Sequence, residues 1–221
     1  MTPPQSDLVT SDRDGFEAVV RDPCHVRRFL DEEVPRADVE HMVGLATCAA
    51  SACNSQAWRF IAIQDRELIA AMQAAVLKRF EELALRPGLA LQEQKRLVAR
   101  QQALMFAKAP LSIAVLALPS TSPMEELMEL AGISQEEHDR ICARPELQSA
   151  GAAVQLLSTS AHAMGYAACW TCAPIVAGER LEQLLGVEPP ARLVALVPIG
   201  RPAELPAAHK RLPLEQVLSF R

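Results

Sequence analysis

Residues 49–63 read AASACNSQAWRFIAI. A helix is predicted to end near Ala50, and Trp58 opens an apolar run that predicts a β-strand. Between them lies a tight polar turn that carries Asn54 and Gln56. Their carboxamides offer donors and acceptors at the rim of a sheet, where they can recognise the polar edge of a flat heteroaromatic ligand. The stretch therefore predicts a small-molecule site rather than a surface loop.

The composition is typical of a single folded domain. The chain has 221 residues, of which 50% are hydrophobic and only 9 are glycine. This length is enough for one well-packed core and short for two independent ones. We therefore expect one domain that spans residues 1–221.

The charge balance and the first residues exclude several classes of protein. A formal net charge of -5 at pH 7 argues against a nucleic-acid binder, because affinity for the phosphate backbone comes largely from lysine and arginine. The first residues, MTPPQSD, lack the basic start and apolar run of a signal peptide, and no window reaches the roughly 18 apolar residues of a membrane span. We expect a cytoplasmic protein that binds neither nucleic acid nor membrane.

Six cysteines lie among apolar or small residues, in a chain too large to need disulfide bonds. Buried free thiols are the favoured interpretation. Cys169 and Cys172 have the C-x-x-C spacing that also occurs in redox and metal sites. A zinc ribbon would need a second such pair, and Cys48 and Cys53 are too far apart in sequence to supply it. We therefore predict no metal ligands.

Hydrophobic periodicity and capping residues predict alternating helices and strands. Asp65 is a predicted N-cap, and Gly165 fits the position that ends a long helix. The predicted helices cover residues 11–20, 35–50, 65–86, 89–108, 147–164 and 177–185. The predicted strands cover residues 58–64, 111–118, 166–170 and 192–199. The second of these strands is uninterrupted apolar sequence, so we expect it to be covered on both faces.

Three further segments predict contacts between elements. Residues 149–153, SAGAA, are a run of small residues in a helix. Since a glycine in mid-helix costs about 1 kcal/mol relative to alanine, another backbone is predicted to pack closely there. Residues 119–145 are polar and punctuated by proline, and are predicted either to cover a pocket or to form a solvated insertion. The tail, residues 200–221, is too short to fold alone and is expected to lie against another surface.

Four separated segments resemble the FMN-dependent nitroreductase superfamily. Residues 26–35, VRRFLDEEVP, are similar to the family's Arg-Arg-Ser-x-Arg-x-Phe motif, and residues 50–60, ASACNSQAWRF, to its Pro-Ser-x-x-Asn-x-Gln-Pro-Trp-x-Phe motif. Residues 165–174, GYAACWTCAP, resemble the strand and turn that pass the flavin ring. Residues 199–202, IGRP, and 209–215, HKRLPLE, resemble the basic C-terminal phosphate contact. Their order and spacing make the resemblance specific over nearly the whole chain.

The resemblance implies an α+β fold, a nitroreductase-like sandwich with a mixed central sheet flanked by helices. It also implies a homodimer with both flavin sites at the subunit interface, where we expect the helix over residues 147–164 and the tail after Gly200. The implied activity is that of an FMN-dependent oxidoreductase with a ping-pong mechanism. NADH or NADPH reduces FMN, and a nitroaromatic, a quinone or another small acceptor is then reduced. No side chain is predicted to be catalytic, because the cofactor carries the chemistry at its N5 position.

The resemblance also implies roles for individual residues. The family residue that matches Arg27 contacts the flavin or its ribityl chain, and the one that matches Arg211, on the tail, contacts the phosphate. Arginine suits both roles because its planar fork can grip two phosphate oxygens. Asn54 and Gln56 match the residues at the pyrimidine edge of the ring, and residues 171–173 match the backbone that passes N5. The full set of predicted cofactor-binding residues is Cys24, His25, Arg27, Ser51, Asn54, Gln56, Thr171, Cys172, Ala173, His209 and Arg211.

Departures from the family pattern keep other functions open. Residues 23–25, PCH, stand where the family has Arg-Arg-Ser, and His209 stands where lysine is common, so we expect weaker or more pH-dependent phosphate binding. One alternative is a flavin-fragmenting member of the superfamily, similar to dimethylbenzimidazole synthase, which makes the lower ligand of cobalamin. A second is a non-catalytic protein that binds a flavin or another heterocycle. A third is a thiol-redox protein that uses Cys169 and Cys172.

Overall fold

The computed structural model describes residues 13–21, 26–119, 122–204 and 210–221. One or more helices lie between successive strands of these ranges. The helices are α1 (Arg13–Arg21), α2 (Arg36–Ala46), α3 (Arg66–Ala84), α4 (Pro87–Ala90), α5 (Glu93–Ala103), α6 (Pro123–Leu130), α7 (Gln135–Cys142), α8 (Pro145–Ala163) and α9 (Gly178–Leu185). The strands are β1 (Trp58–Ile63), β2 (Leu111–Ala117), β3 (Ala167–Ala168) and β4 (Arg192–Gly200). Short 3₁₀-helices cover Ala52–Asn54, Met105–Lys108, Ala173–Ala177 and Leu214–Gln216. None of the described helices is long and apolar enough to cross a membrane.

The described strands form one sheet in the order β1-β2-β4-β3. Each neighbouring pair among them is antiparallel. Ile63, the last residue of β1, pairs with Ser112 near the start of β2, so the helices between them return the chain to the end of the sheet that it left. The predicted α+β sandwich is confirmed. Its sheet was predicted to be mixed, but it is antiparallel throughout the part of the chain that the structure describes.

Helices cover both faces of this sheet. On one face, α2 and α8 pack against Ile113 and Val115 of β2. On the other face, α3, α5 and α9 pack against Ala114 and Leu116. All residues of β2 are buried, because side chains that alternate between the two faces meet a layer of helices on each. The prediction that this strand is covered on both faces is confirmed.

Two local predictions are also confirmed. Asp65 is the N-cap of α3, and its side chain accepts hydrogen bonds from the backbone N–H groups of Glu67 at 2.9 Å and Leu68 at 3.4 Å. Gly165 follows the C-cap of α8 with a φ of 75°, a left-handed conformation that glycine adopts without steric cost. Both features depend on residues within one helical turn of each other, which is why the local sequence predicts them.

Several helix boundaries differ from the prediction. The helix predicted over residues 89–108 is divided among α4, α5 and the 3₁₀-helix Met105–Lys108. Pro87, which lies between the helices predicted over 65–86 and 89–108, opens α4, because proline fits the first helical turn, where its missing N–H would have no partner. α2 ends at Ala46 rather than near Ala50. The first two residues of the helix predicted over residues 11–20 lie outside the described residues.

The third predicted strand is shortened to β3, Ala167–Ala168. Beyond it the N–H of Cys169 donates to the carbonyl of Pro198 at 3.1 Å, and Thr171 exchanges two hydrogen bonds with Leu196. Pro198 has no N–H to return, so the regular ladder is interrupted opposite Cys169. The chain nevertheless stays extended along β4 after β3 ends.

The polar segment over residues 119–145 contains the short helices α6 and α7. Ser122 is the N-cap of α6 and accepts a hydrogen bond from the N–H of Glu125, while Ser134 caps α7 in the same way through the N–H of Glu137. These two helices pack against each other. Two serine caps therefore account for two short helices in a segment with little apolar sequence.

Candidate functional site

A cleft of about 490 Å³ lies between three segments of the chain. They are the segment before Phe29, the second half of α5 with the 3₁₀-helix that follows it, and the loop after β3. The lining residues are Arg27, Arg28, Val98, Gln101, Gln102, Met105, Lys108, Cys169, Trp170, Thr171, Cys172 and Ala173. Small-molecule sites typically have volumes of about 300–1,000 Å³. The cleft brings together four of the predicted cofactor-binding residues, which are Arg27, Thr171, Cys172 and Ala173.

The cleft is positively charged. Arg27, Arg28 and Lys108 line it, and none of its described lining residues is Asp or Glu. Arg28 forms an exposed ion pair with Glu204, with Nη1 and Oε2 3.6 Å apart, and such pairs contribute little to stability. The side chains of Arg27 and Lys108 make no hydrogen bond or ion pair with any residue that the structure describes. The cleft is therefore suited to an anionic group such as a phosphate.

The loop after β3 provides two backbone donors. Cys172 is the N-cap of the 3₁₀-helix Ala173–Ala177, so the N–H groups of Cys172 and Ala173 have no acceptor within that helix. Neither group makes a hydrogen bond elsewhere in the described ranges. The N–H groups of Cys169 and Thr171, in contrast, are both used in pairing with β4. Two adjacent lining residues thus keep donors for an acceptor on a ligand.

The remaining lining surface comes from α5 and Trp170. Met105 is 8% exposed, while Val98 and Trp170 are 45% and 42% exposed. Aliphatic and aromatic surface of this kind packs well against a flat ring. Gln101 and Gln102 add carboxamide groups. None of the lining residues on α5 and its 3₁₀-helix was predicted from the sequence. The glutamine-rich composition of that helix was an available signal, but only the packing of α5 on the loop after β3 brings it to the cleft.

Cys169 and Cys172 both line the cleft as free thiols. The chain between them is extended, as the pairing of Cys169 and Thr171 with β4 shows. Three extended residues span about 10 Å, whereas the Cα atoms of a disulfide lie within roughly 7 Å. Burial raises the pKa of the Cys169 thiol, and the nearby charge of Arg27 opposes that rise. This geometry argues against an internal disulfide between the two and thus against the thiol-redox alternative.

The turn that carries Asn54 and Gln56 has a strained backbone. Cys53, Asn54 and Gln56 have φ values of 51°, 53° and 47°, in the left-handed region that costs residues other than glycine about 1–2 kcal/mol each. The hydroxyl of Ser51 accepts a hydrogen bond from the N–H of Gln56 at 3.1 Å and holds the turn closed. The side chains of Asn54 and Gln56 are exposed. Strain of this kind is concentrated at functional sites.

Within one chain, α8 separates this turn from the cleft. The hydroxyl of Ser149 accepts a hydrogen bond from the N–H of Ala52 at 3.2 Å. A Cβ at Gly151 would lie 3.3 Å from Cη2 of Trp170, which lines the cleft. Since successive residues of an α-helix are rotated by about 100°, positions two apart point in nearly opposite directions. Ser51, Asn54 and Gln56 therefore do not line the cleft of their own chain.

The described part of the tail over residues 210–221, which carries Arg211, is exposed. Its exposed apolar side chains are Leu212, Leu214, Val217, Leu218 and Phe220, with exposed fractions from 45% to 90%. Arg211 does not line the cleft in one chain. The predicted contacts Cys24, His25 and His209 lie outside the described residues.

Comparison with solved structures shows the same fold. A BluB-like flavoprotein from Clostridium difficile 630 is 24% identical and superposes with a TM-score of 0.84 over 96% of this chain and 100% of that one. NfrA2 of B. megaterium is 18% identical, with a TM-score of 0.68 over 94% and 75% of the two chains. The NfrA1 nitroreductase of B. subtilis is 17% identical, with a TM-score of 0.67 over 92% and 73%.

The sequence comparisons assign a family. No curated protein sequence matches the chain. The model of the Nitroreductase family matches residues 25–201, a range that contains most of the chain and the lining residues of the cleft. The antiparallel sheet between two helical layers agrees with that match. The chain belongs to the Nitroreductase family.

Proposed function

We propose that the protein is an FMN-dependent oxidoreductase that takes electrons from NADH or NADPH and reduces small acceptors such as nitroaromatics or quinones. The observation that carries this proposal is the cleft. Its lining combines two cationic side chains and two backbone N–H groups that pair with no described residue, and it has no described carboxylate. Membership of the Nitroreductase family supports oxidoreductase chemistry, and the similar C. difficile structure is that of a flavoprotein.

The residues of the cleft fit FMN. Its phosphate carries close to two negative charges, which the unpaired side chains of Arg27 and Lys108 can balance. The flat ring suits the surface of Met105 and Trp170. The free N–H groups at Cys172 and the following residue can donate to an acceptor edge of that ring. The phosphate, the flat ring and one acceptor edge of the ring each have a complementary group in the cleft.

When bound, FMN supplies the redox chemistry and transfers electrons between two substrates that react in turn. The chain binds and orients. Arg27 holds the anionic part, and the backbone donors at Cys172 and Ala173 stabilise negative charge on the adjacent ring edge. Met105 excludes water from the buried side of the cleft, since it is 8% exposed. None of the described side chains that line the cleft needs to transfer a proton in this reaction.

We further propose that two copies of the chain complete each site. The turn with Asn54 and Gln56 cannot reach the cleft of its own chain, because α8 lies between them. A second copy can present that turn, and the exposed apolar side chains of the tail over residues 210–221 suit packing on the same partner. The position of the turn and the exposed apolar side chains of the tail therefore support the homodimer that the family resemblance predicts.

The proposed domain covers residues 1–221, with α6 and α7 as an excursion that covers a pocket. On α6 the side chains of Met124, Leu127 and Leu130 are 50%, 57% and 85% exposed. They recur at intervals of three residues and form one apolar face of the helix. An apolar face exposed to this extent in one chain supports a covering role in the dimer over that of a solvated insertion.

The visible spectrum of protein purified without added cofactor tests the central proposal. We expect flavin absorption bands and release of FMN on denaturation, with oxidation of NADH or NADPH when a nitroaromatic or quinone is added. A colourless protein that FMN cannot reconstitute would overturn the proposal. Bound FMN without nicotinamide oxidation would indicate a binding protein, and loss of the yellow colour during turnover with oxygen would indicate flavin fragmentation.

Substitution of Arg27 tests the assigned phosphate contact. Hydrogen bonds to charged groups contribute about 1.5–3 kcal/mol, so Arg27→Gln should weaken FMN binding by roughly 10- to 100-fold. Arg86→Gln is the matched control, because Arg86 is exposed at the start of α4 and does not line the cleft. Equal FMN dissociation constants for the two variants would contradict the assignment.

A further inference from the structure

Arg201 lies at the end of β4, outside the lining of the cleft. Its Nη1 donates to the carbonyl oxygens of Met164 at 3.0 Å and Gly165 at 2.9 Å. These carbonyls end α8, where the helix dipole favours a cation. The guanidinium also lies 4.1 Å from the centroid of the Tyr166 ring, in a cation–π contact. One side chain thus binds the three residues that precede β3.

The loop that lines the cleft begins at this point. Ala167 pairs with Gly200, the residue before Arg201, and Cys169 follows two positions later. Tyr166 is 4% exposed, and its hydroxyl donates to Asp38 of α2 at 2.5 Å. The side chain of Arg201 therefore contacts the residues immediately before the strand that leads into the loop over residues 169–173.

The backbone of Arg201 holds the opposite side of the cleft. Its carbonyl accepts a hydrogen bond from the N–H of Leu30 at 2.9 Å. Phe29 forms a bridge with Pro202, and the N–H of Ala203 donates to the carbonyl of Arg28 at 3.0 Å. The segment that carries the cationic side chains of the cleft is thus bound to residues 201–203.

Two glycines show how closely these parts fit. A Cβ at Gly165 would lie 2.8 Å from Nη1 of Arg201, and a Cβ at Gly200 would lie 2.7 Å from Cδ of Pro110 and 3.3 Å from Cβ of Phe29. Contacts below 3.0 Å do not occur for real Cβ atoms, so the chain has room for Arg201 in this position only because residue 165 has no side chain. In the same way, the absence of a side chain at Gly200 allows Pro110 and Phe29 to lie close to the backbone of β4.

We propose that Arg201 is a positioning residue that fixes the two sides of the cleft relative to each other, so that the cationic segment before Phe29 and the donor loop after β3 act on one FMN molecule. This inference rests on the proposed FMN site. Arginine suits the role because a planar guanidinium can donate to two carbonyls and stack on a ring at the same time, whereas lysine offers a compact charge without a planar face.

FMN binding by the Arg201→Lys variant tests the proposal. We expect the FMN dissociation constant to rise about tenfold, and the visible circular dichroism of the bound flavin at saturating FMN to differ from that of the wild-type protein. Tyr166→Phe is the control, because it keeps the ring under Arg201 and removes only the hydrogen bond to Asp38. It should lower the free energy of unfolding but leave both flavin measurements within about twofold of wild type.

The outcomes separate this inference from the proposed function. If wild-type protein binds FMN and Arg201→Lys lowers only the stability, with an unchanged dissociation constant and dichroism, Arg201 has no positioning role. If the wild-type protein fails to bind FMN, the proposed function falls and this inference with it. If the lysine variant does not fold, Arg201→Gln provides the same comparison, because its amide can still donate to a carbonyl. An unchanged FMN affinity of that variant would likewise contradict the positioning role of Arg201.

Discussion

Gly151 and Trp170 bring the middle of α8 against the cleft, where a Cβ at position 151 would lie only 3.3 Å from Cη2 of the indole. The sequence predicted that the small-residue run over 149–153 admits another backbone. Within one chain the close neighbour is instead the Trp170 side chain, which is 42% exposed and lines the cleft. The glycine therefore affects the shape of the site as well as the packing of the helix.

A larger residue at position 151 should displace Trp170. We expect Gly151→Leu to lower FMN affinity and to shift the fluorescence emission of the protein toward longer wavelengths, since the indole must move outward. Overpacking typically costs about 1–3 kcal/mol, so the free energy of unfolding should fall by a similar amount.

Gly44→Leu is the matched control for this change. Gly44 also lies inside a helix, but a Cβ there would meet no atom within 4 Å. Leucine at that position should leave the emission unchanged and raise helix stability by up to about 1 kcal/mol. Trp58 is 3% exposed and remains in both variants, so a shift seen in Gly151→Leu alone reports Trp170. Identical emission from the two variants would contradict the prediction.

Mixed dimers test whether two chains share each site. Arg27→Ala and the double variant Asn54→Ala with Gln56→Ala should each lose FMN binding as homodimers. In a mixed dimer, one site receives the substituted residue 27 from one chain and the substituted turn from the other. The second site receives the native Arg27 and the native turn, and is intact. Separately tagged chains that are unfolded, mixed and refolded should therefore recover about half of the wild-type FMN per purified mixed dimer.

This recovery depends on sites built across the interface. If each chain binds FMN alone, every site in the mixed dimer keeps one defect, and no recovery occurs. Mixing Arg27→Ala with a tagged copy of the same variant controls for refolding. A chain that stays monomeric at micromolar concentration would also contradict the shared site.

The hydrogen bond between Tyr166 and Asp38 predicts a dependence of stability on pH. Burial, and then the bond to Asp38, raise the pKa of Tyr166 above 10.0 in the folded protein. Its contribution to stability is therefore complete below the unfolded pKa of about 10 and is lost as the pH rises through the folded pKa. Tyr166→Phe should cost about 1–2 kcal/mol near neutral pH and remove this loss at high pH.

Urea unfolding from about pH 8 to about pH 11 measures the effect. The difference in unfolding free energy between wild type and Tyr166→Phe should be constant at the lower pH values and shrink above about pH 10. A difference that stays constant across the whole range would show that Tyr166 does not contribute through its protonated hydroxyl.

The two cysteines of the cleft should react independently. Cys172 is exposed, whereas Cys169 is partly buried with a raised pKa, so a smaller fraction of Cys169 is the reactive thiolate. We expect iodoacetamide to modify Cys172 before Cys169, as measured by peptide mass spectrometry. Mild oxidation should form no disulfide between them, because the extended chain separates their Cα atoms by about 10 Å. A peptide about two daltons lighter after oxidation would contradict this geometry.

Local sequence was sufficient for the elements whose determinants lie close together in the chain. The carboxylate of Asp65 and the N–H groups that it caps are within three residues of each other. The strand β2 consists mainly of apolar residues, so its composition alone predicts that it is buried. The order and spacing of the four motifs were also sufficient to identify the family. Boundaries were less accurate where a distant partner decides them: β3 is short because Pro198 of another strand cannot return a hydrogen bond to Cys169.

The sequence by itself determined the family and the α+β fold, and it indicated Arg27 and the turn with Asn54 and Gln56 as candidate cofactor contacts. Only the tertiary structure decided which of these groups meet. It joined Arg27 to the loop after β3 and to α5, and it placed the turn on the other side of α8. The physical reason is that a helix or a turn forms from neighbouring residues, whereas a cleft depends on how segments far apart in the sequence pack.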